Sequence, residues 1–267
     1  MKYIEFLGIP GSGKTTVAQD VVRLMQANYP VVLNRWNVKQ ETMRALLRQK
    51  SGMFARLLYL VTAMIKTPLL DRYWGASRYH LIRRFLHQYS HLLPQVVENA
   101  ERIAPPSNIP PYTLSSEQLL SWFFDVACIY QASQETLEAD GVLVMEEGFC
   151  QQAYYLIAAF READDIGVKL ERYCELIPKP SLVIFLLADP EACEKRLHTR
   201  ATGIPSSILS SLTASERIAL FTHRLSTYQA LAQYLEQQHV PVMRVDNTQP
   251  YHVTQKILEE SLARCVV

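Results

Sequence analysis

Apolar positions along this chain alternate between short continuous runs and stripes repeated every three to four residues. Lys2 to Leu7 is an apolar-rich run closing at Gly8, and from Thr15 to Ala27 the positions Val17, Val21, Leu24 and Met25 follow helical spacing. The pattern predicts strand, loop, helix. Pro30 to Arg35 reads as a second strand, β-branched and framed by proline and a polar tail. Gly141 to Gly148 is a third, apolar as far as Met145 and then acidic at Glu146 and Glu147. Pro180 to Leu187 gives a fourth and Pro241 to Val245 a fifth. Uninterrupted apolar runs mark strands covered on both faces. With helical segments between them, they predict an α/β fold with a parallel sheet and right-handed crossovers.

Between residues 39 and 140 no strand is expected. Apolar stripes at helical spacing run through Leu46, Leu47, Phe54, Leu57, Leu58 and Val61, then Leu81, Ile82, Phe85, Leu86 and Tyr89, then Leu119, Leu120, Phe123, Phe124 and Val126. This is a large helical insertion between strands two and three. The four prolines between Pro105 and Pro111 interrupt it with an extended connector. The whole chain, 1–267, reads as one domain carrying that 39–140 insertion.

Gly8-Ile9-Pro10-Gly11-Ser12-Gly13-Lys14-Thr15 matches G-x-x-x-x-G-K-[ST] at every fixed position and lies between a strand and a helix. Such a loop turns its backbone N–H groups inward, and the following helix adds its positive end, so phosphate oxygens are held there. Gly8, Pro10, Gly11, Ser12, Gly13, Lys14, Thr15 and Thr16 are therefore the candidate nucleotide contacts. Lys14 is placed to reach the β and γ phosphates, and the Thr15 hydroxyl to ligate Mg²⁺. The metal also needs a carboxylate from a neighbouring strand. Glu146 and Glu147 stand at such a strand end, one for the metal and the other as general base, and Asp189 after strand four is the competing acid.

The P-loop, the acidic strand end followed by Gly148-Phe149, and Leu186 to Arg200 together resemble the thymidylate kinase family and related nucleoside and nucleotide kinases. The resemblance implies a P-loop NTPase fold with helices on both faces of a five-stranded sheet in the order 2-3-1-4-5. It also implies an Asp-Pro-Glu turn and an Arg-x-x-x-Arg helix leading into a lid. Arg196 and Arg200 occupy the matching positions, 199–213 is the candidate lid, and Arg217 and Arg224 on the next helix are further lid candidates. Guanidinium groups suit charge spread over a transferring phosphoryl group. The family's strand three ends in Asp-Arg where this chain has Glu146-Glu147, a departure that favours a neutral hydroxyl acceptor. For the acceptor side, Arg35, Trp36 and Asp125 are the candidate contacts, while Trp122 and Phe123 at helical spacing are expected to fill a core.

Lys and Arg number 27 against 26 Asp and Glu, so no overall positive field draws the chain to nucleic acid or to an anionic membrane. The most lipid-like stretch, Phe54 to Ile65, is too short and contains Arg56. Five scattered cysteines without metal-ligand spacing fit a reduced, cytoplasmic protein, and the first residues lack the apolar core of a signal peptide. Together these features predict an ATP- and Mg²⁺-dependent kinase acting on a small-molecule hydroxyl or phosphate, and they leave a homodimer open. The rival expectation is a P-loop ATPase or nucleotide sensor acting on a protein partner. No Asn-Lys-x-Asp run is present to read guanine, since Asp246-Asn247-Thr248 does not supply one.

Overall fold

The computed structural model describes residues 1–35, 37–49, 68–101, 115–137, 140–158, 166–199, 209, 212–249 and 251–265. Five parallel strands form one sheet in the order β2-β3-β1-β4-β5: β1 (Lys2–Leu7), β2 (Val32–Asn34), β3 (Val142–Met145), β4 (Leu182–Leu187) and β5 (Val242–Asp246). This is the expected P-loop NTPase arrangement. The strands are shorter than their apolar runs suggested. Pro30 and Pro241 lie outside because proline has no N–H for a ladder, and Glu146 and Glu147 lie just beyond the end of β3.

β1 is central, pairing with β3 from Lys2↔Val142 to Glu5↔Met145 and with β4 from Ile4↔Leu182 to Leu7↔Phe185. Alternate residues face opposite layers. Ile4 and Phe6 pack with Val17, Val21 and Met25 of α1 (Lys14–Asn28) and with Leu258 and Leu262 of α10 (Tyr251–Cys265). Tyr3 and Leu7 enter the larger core on the opposite face.

Between β2 and β3 the described residues form α2 (Val38–Gln49), α3 (Pro68–Gln88), α4 (Leu92–Glu101) and α5 (Ser116–Thr136). They form the expected helical block. Its stripe from Phe54 to Val61 and its proline-rich connector fall outside the described residues. Ser115 starts α5 with a reciprocal capping box to Gln118, which fixes where the helix begins. The block is joined to the rest through aromatic rings. Phe85 of α3 stacks on Phe149 of α6 (Phe149–Ala153) at 5.4 Å, and both meet Phe123 and Tyr130 of α5 edge-on. Phe123 is completely buried, as its spacing implied.

Beyond β3 the chain continues through α6 into a π-helical turn, Tyr154–Ala158, then α7 (Ile166–Leu176). After β4 come α8 (Pro190–His198) and α9 (Ala214–Gln237). Cys128, Cys150, Cys174 and Cys193 are buried free thiols. Among the described residues no helix is long and apolar enough to cross a membrane.

Candidate active site

The loop between β1 and α1 is shaped by glycines that have no substitute. Gly11 and Gly13 adopt φ values of +83° and +90°, where a side chain is strained. A Cβ on Gly11 would lie 2.5 Å from the Cys193 carbonyl oxygen, and one on Gly13 2.5 Å from the Asn247 amide nitrogen. Gly11→Ala therefore combines left-handed strain, on the order of 1–3 kcal/mol, with a backbone collision. The expected outcome is a lowered denaturant midpoint. An unchanged midpoint would show that the loop relaxes freely.

Lys14 is the first residue of α1 and its ammonium group folds back into the loop, donating to the carbonyl oxygens of Gly8 (2.6 Å) and Ile9 (3.2 Å). Burial pushes its pKa down to about 8, against the opposing pull of Glu147 and Glu146 and with a further push down from Arg224. A buried ammonium satisfied only by carbonyls is poised for an anion. Next to it the Thr15 hydroxyl donates to Glu146 Oε1. Of the two strand-end carboxylates Glu146 thus meets the loop hydroxyl. Glu147 is half exposed and faces Arg35 at 3.7 Å.

A cavity of about 540 Å³ opens over this edge. Pro10, Gly11, Gly13, Lys14 and Thr15 line one side. Arg35, Trp122, Asp125, Gln152, Tyr155 and Arg224 line the rest, with Glu146 and Glu147 between. The sequence-derived residues Arg35 and Asp125 are thus in the same cavity as the loop, with Asp125 in a 2.8 Å ion pair with Arg78 of α3. Trp122, expected in a core, instead faces the cavity and meets Tyr155 edge-on at 5.5 Å. Thr16 is exposed on α1 and does not line the cavity. Asp189 caps α8 by accepting from the Ala192 N–H and does not line the cavity. Trp36, Arg200 and most of the 199–213 segment lie outside the described residues.

The arginine assignment changes. Arg196 does not line the cavity; its guanidinium donates to the Asn247 backbone oxygen at 3.0 Å. The cation that lines the cavity from this side is Arg224 of α9, 4% exposed, lying 4.4 Å from the Tyr154 ring centre and 4.7 Å from that of Tyr155. Those rings belong to the π-helical turn after α6, a local rewinding often found at functional positions. Arg217 is a structural cation, buried against Glu194 at 2.9 Å and bonded to the Leu209 and Leu212 carbonyls.

Sequence reasoning missed three further residues. Asn247, just past β5, donates to the Ser12 carbonyl at 2.6 Å, receives Thr254 at 3.2 Å, and so braces the phosphate loop from behind. Gln151 donates to the Gly8 carbonyl at 3.1 Å, beside Lys14. Gln152 is 6% exposed, and its side-chain oxygen meets no donor among the described residues.

Comparison with family models and with curated proteins gives no match. Among solved structures, the chain is similar to deoxyadenosine kinase from M. mycoides with products dCMP and a flexible dCDP bound. The identity is 10%, the TM-score 0.41, and 98% of each chain is covered. It is likewise similar to the same kinase with bound dATP, at 12% identity and a TM-score of 0.42, covering 98% of this chain and 99% of that one. At such scores the likeness says nothing about activity, and the fold assignment rests on the strand order and the phosphate loop themselves.

Proposed function

We propose that this protein is a Mg·ATP-dependent phosphotransferase that moves the γ-phosphoryl group to the hydroxyl of a small, uncharged molecule. One observation carries the reading: the phosphate loop with Lys14, the Thr15–Glu146 pair and an aromatic-walled pocket share a single cavity. A hydrolase or sensor needs the loop but not an acceptor-sized chamber beside it.

The loop N–H groups and Lys14 hold the donor phosphates. Thr15 and Glu146, two hard oxygen donors already against each other, suit Mg²⁺, which binds through few protein ligands and keeps several waters. A magnesium ion held by Thr15 and Glu146 would supply Lewis-acid stabilisation of the charge on the donor phosphates. Glu147 takes the acceptor's hydroxyl proton, and Arg224 replaces Arg196 as the cation facing the transferring group. Ser12 and Gly13 are set by Asn247, which Arg196 supports.

The acceptor reading follows from charge. Toward the helical block the cations are already matched, Arg35 by Glu147 and Arg78 by Asp125. An acceptor phosphate would have to break one of these pairs. A neutral molecule with a flat apolar body fits against the wall that Trp122 and Tyr155 form together, and an N–H or O–H on it satisfies the buried Gln152 oxygen. The segment 199–213 acts as the lid that keeps water out, and reduced buried thiols suit a cytoplasmic location.

The test is ADP formation with Mg·ATP against a panel of nucleosides, nucleotides, sugars and aminoglycosides, with Lys14→Met as the blank. At least one uncharged hydroxyl compound is expected to raise turnover tenfold or more over the acceptor-free rate, in line with about 10²–10⁴ for positioned general-base chemistry. Turnover that ignores every acceptor would replace this reading with an ATPase, and preference for a phosphorylated acceptor would overturn its neutral-acceptor half.

A further inference from the structure

The centre of the sheet holds a carboxylate that the proposed chemistry does not use. Glu5 is in the middle of β1 and has no exposed surface. Its Oε2 accepts from the Tyr3 hydroxyl at 2.5 Å and its Oε1 from the backbone N–H of Gln151 at 3.0 Å. The fit is so close that a Cβ on Gly148 would lie 2.5 Å from the Glu5 carboxyl carbon and 2.5 Å from the Tyr3 hydroxyl. Gly148 is thus the only residue type that lets β3 leave the sheet directly over this pair.

Gln151 connects the buried carboxylate to the phosphate loop. Its backbone is held by Glu5 and, at its carbonyl, by the Tyr228 hydroxyl at 3.3 Å; its side chain reaches the Gly8 oxygen at 3.1 Å. That same oxygen receives Lys14 at 2.6 Å. A core filler in this place would be apolar, since a buried carboxyl costs stability that leucine would not.

We propose that Glu5 is a positioning residue of the phosphate loop, acting through Gln151 on the Gly8 carbonyl that Lys14 also uses. The inference rests on the nucleotide-binding half of the function proposed above. When Glu5 is ionised, its bond to the Gln151 N–H is charge-assisted and strong; when protonated, that bond is an ordinary neutral one. Burial raises the Glu5 pKa to about 7, with the bonds from Tyr3, Gln151 and Cys150 pulling against it. The groups facing it are Tyr3 from β1, Tyr173 from α7 and Cys150 from α6, with Tyr130, Cys174 and Lys179 around them. Burial pushes every one of these tyrosines and cysteines upward, so they stay neutral through pH 8. Lys179 is pushed down, also by burial. Glu5 is the member of the cluster that changes charge near neutrality.

ADP binding reads this without an acceptor. Dissociation constants of wild type and Glu5→Gln are measured from pH 5.5 to 8.5 and expressed as a ratio, in which ionisation of ADP and of Lys14 cancels. The ratio is expected to rise from about 1 at acid pH to about 10 at pH 8, the difference between a neutral and a charge-assisted hydrogen bond. Tyr3→Phe, a smaller change in the same cluster, removes a bond that lowers the Glu5 pKa. Its ratio to wild type is expected to peak between pH 7 and 8 and return toward 1 on either side. A ratio that stays flat for both variants reduces Glu5 to a buried structural acid. Wild-type protein that binds no ADP removes this inference and the kinase reading together, whereas binding with flat ratios removes this one alone.

Discussion

Replacing Lys14 with methionine is expected to reduce phosphoryl transfer by at least about 10³-fold and, at pH 7, to stabilise the nucleotide-free protein. The first effect follows from position, because Lys14 is the ammonium group folded into the loop and removal of one preorganised donor to developing charge costs about 10²–10³ on its own. The second follows from burial. The Lys14 side chain is 8% exposed and its pKa falls to about 8 from an unfolded value of 10.5. That depression corresponds to a penalty on the order of 3 kcal/mol wherever the group is charged in both states. Methionine keeps the volume and drops the charge. It takes one donor each from the Gly8 and Ile9 carbonyls, which keep Gln151 and the Ser12 N–H, at about 2 kcal/mol for the two bonds together. A net gain of about 1 kcal/mol remains, or about 2–4 °C in a chain of this size.

The pH dependence has a definite sign. Between pH 8 and 10.5 the unfolded chain holds the Lys14 proton and the folded one has released it. Wild-type stability therefore rises with pH across that window relative to the variant. The melting-temperature gap in favour of Lys14→Met should be full below pH 8, close near pH 9 as the wild type regains about 1.4 kcal/mol per pH unit, and be reversed by pH 10.5. Adding ADP should reverse the order at pH 7, since only the wild type gains from phosphate. A variant that melts lower than wild type at every pH, or keeps turnover within tenfold, would show that Lys14 is a surface-like ammonium with no site role.

This split between stability and function also explains which parts of the molecule were legible in the sequence. The phosphate loop was readable because its chemistry is local: eight consecutive residues hold both the turn and the donors. β1, β3 and β4 were readable because strands covered on both faces leave continuous apolar runs. The helical block announced its faces, and Phe85 and Phe123 are buried where their spacing put them. Residues that act by meeting across the fold left no such trace. Arg224 and Arg196 look alike along the chain, yet one lines the cavity and the other bonds Asn247, because α9 packs on the π-helical turn while Arg196 in the last turn of α8 reaches the residue just past β5. Asn247 offered only the failed guanine motif. Glu5, a charged residue alternating with apolar ones, reads as a solvent-facing strand position; the helical layer over β3 and β1 is what buries it. Gln152 and Trp122 could not be separated from core residues by periodicity, since a cavity wall and a core share the same spacing.

The two carboxylates after β3 were equivalent in the sequence, and their environments now separate them. Glu146 accepts from the Thr15 hydroxyl and is part buried, which supports the metal role proposed for it. Glu147 is half exposed, reaches Arg35 at 3.7 Å and lines the same cavity as the phosphate loop. Glu147→Gln is expected to lower kcat by about 10²-fold, the lower end of general-base contributions, with the Mg²⁺ requirement unchanged. Glu146→Gln is expected to raise the Mg²⁺ concentration for half-maximal turnover by about 10–100-fold, with part of the lost rate recovered at high Mg²⁺. Turnover measured against Mg²⁺ for both variants distinguishes the roles. Recovery by Mg²⁺ in Glu147→Gln and not in Glu146→Gln would exchange the two assignments, and full activity in Glu147→Gln would mean that the acceptor hydroxyl loses its proton to the phosphoryl group itself, with Glu147 serving only to balance Arg35.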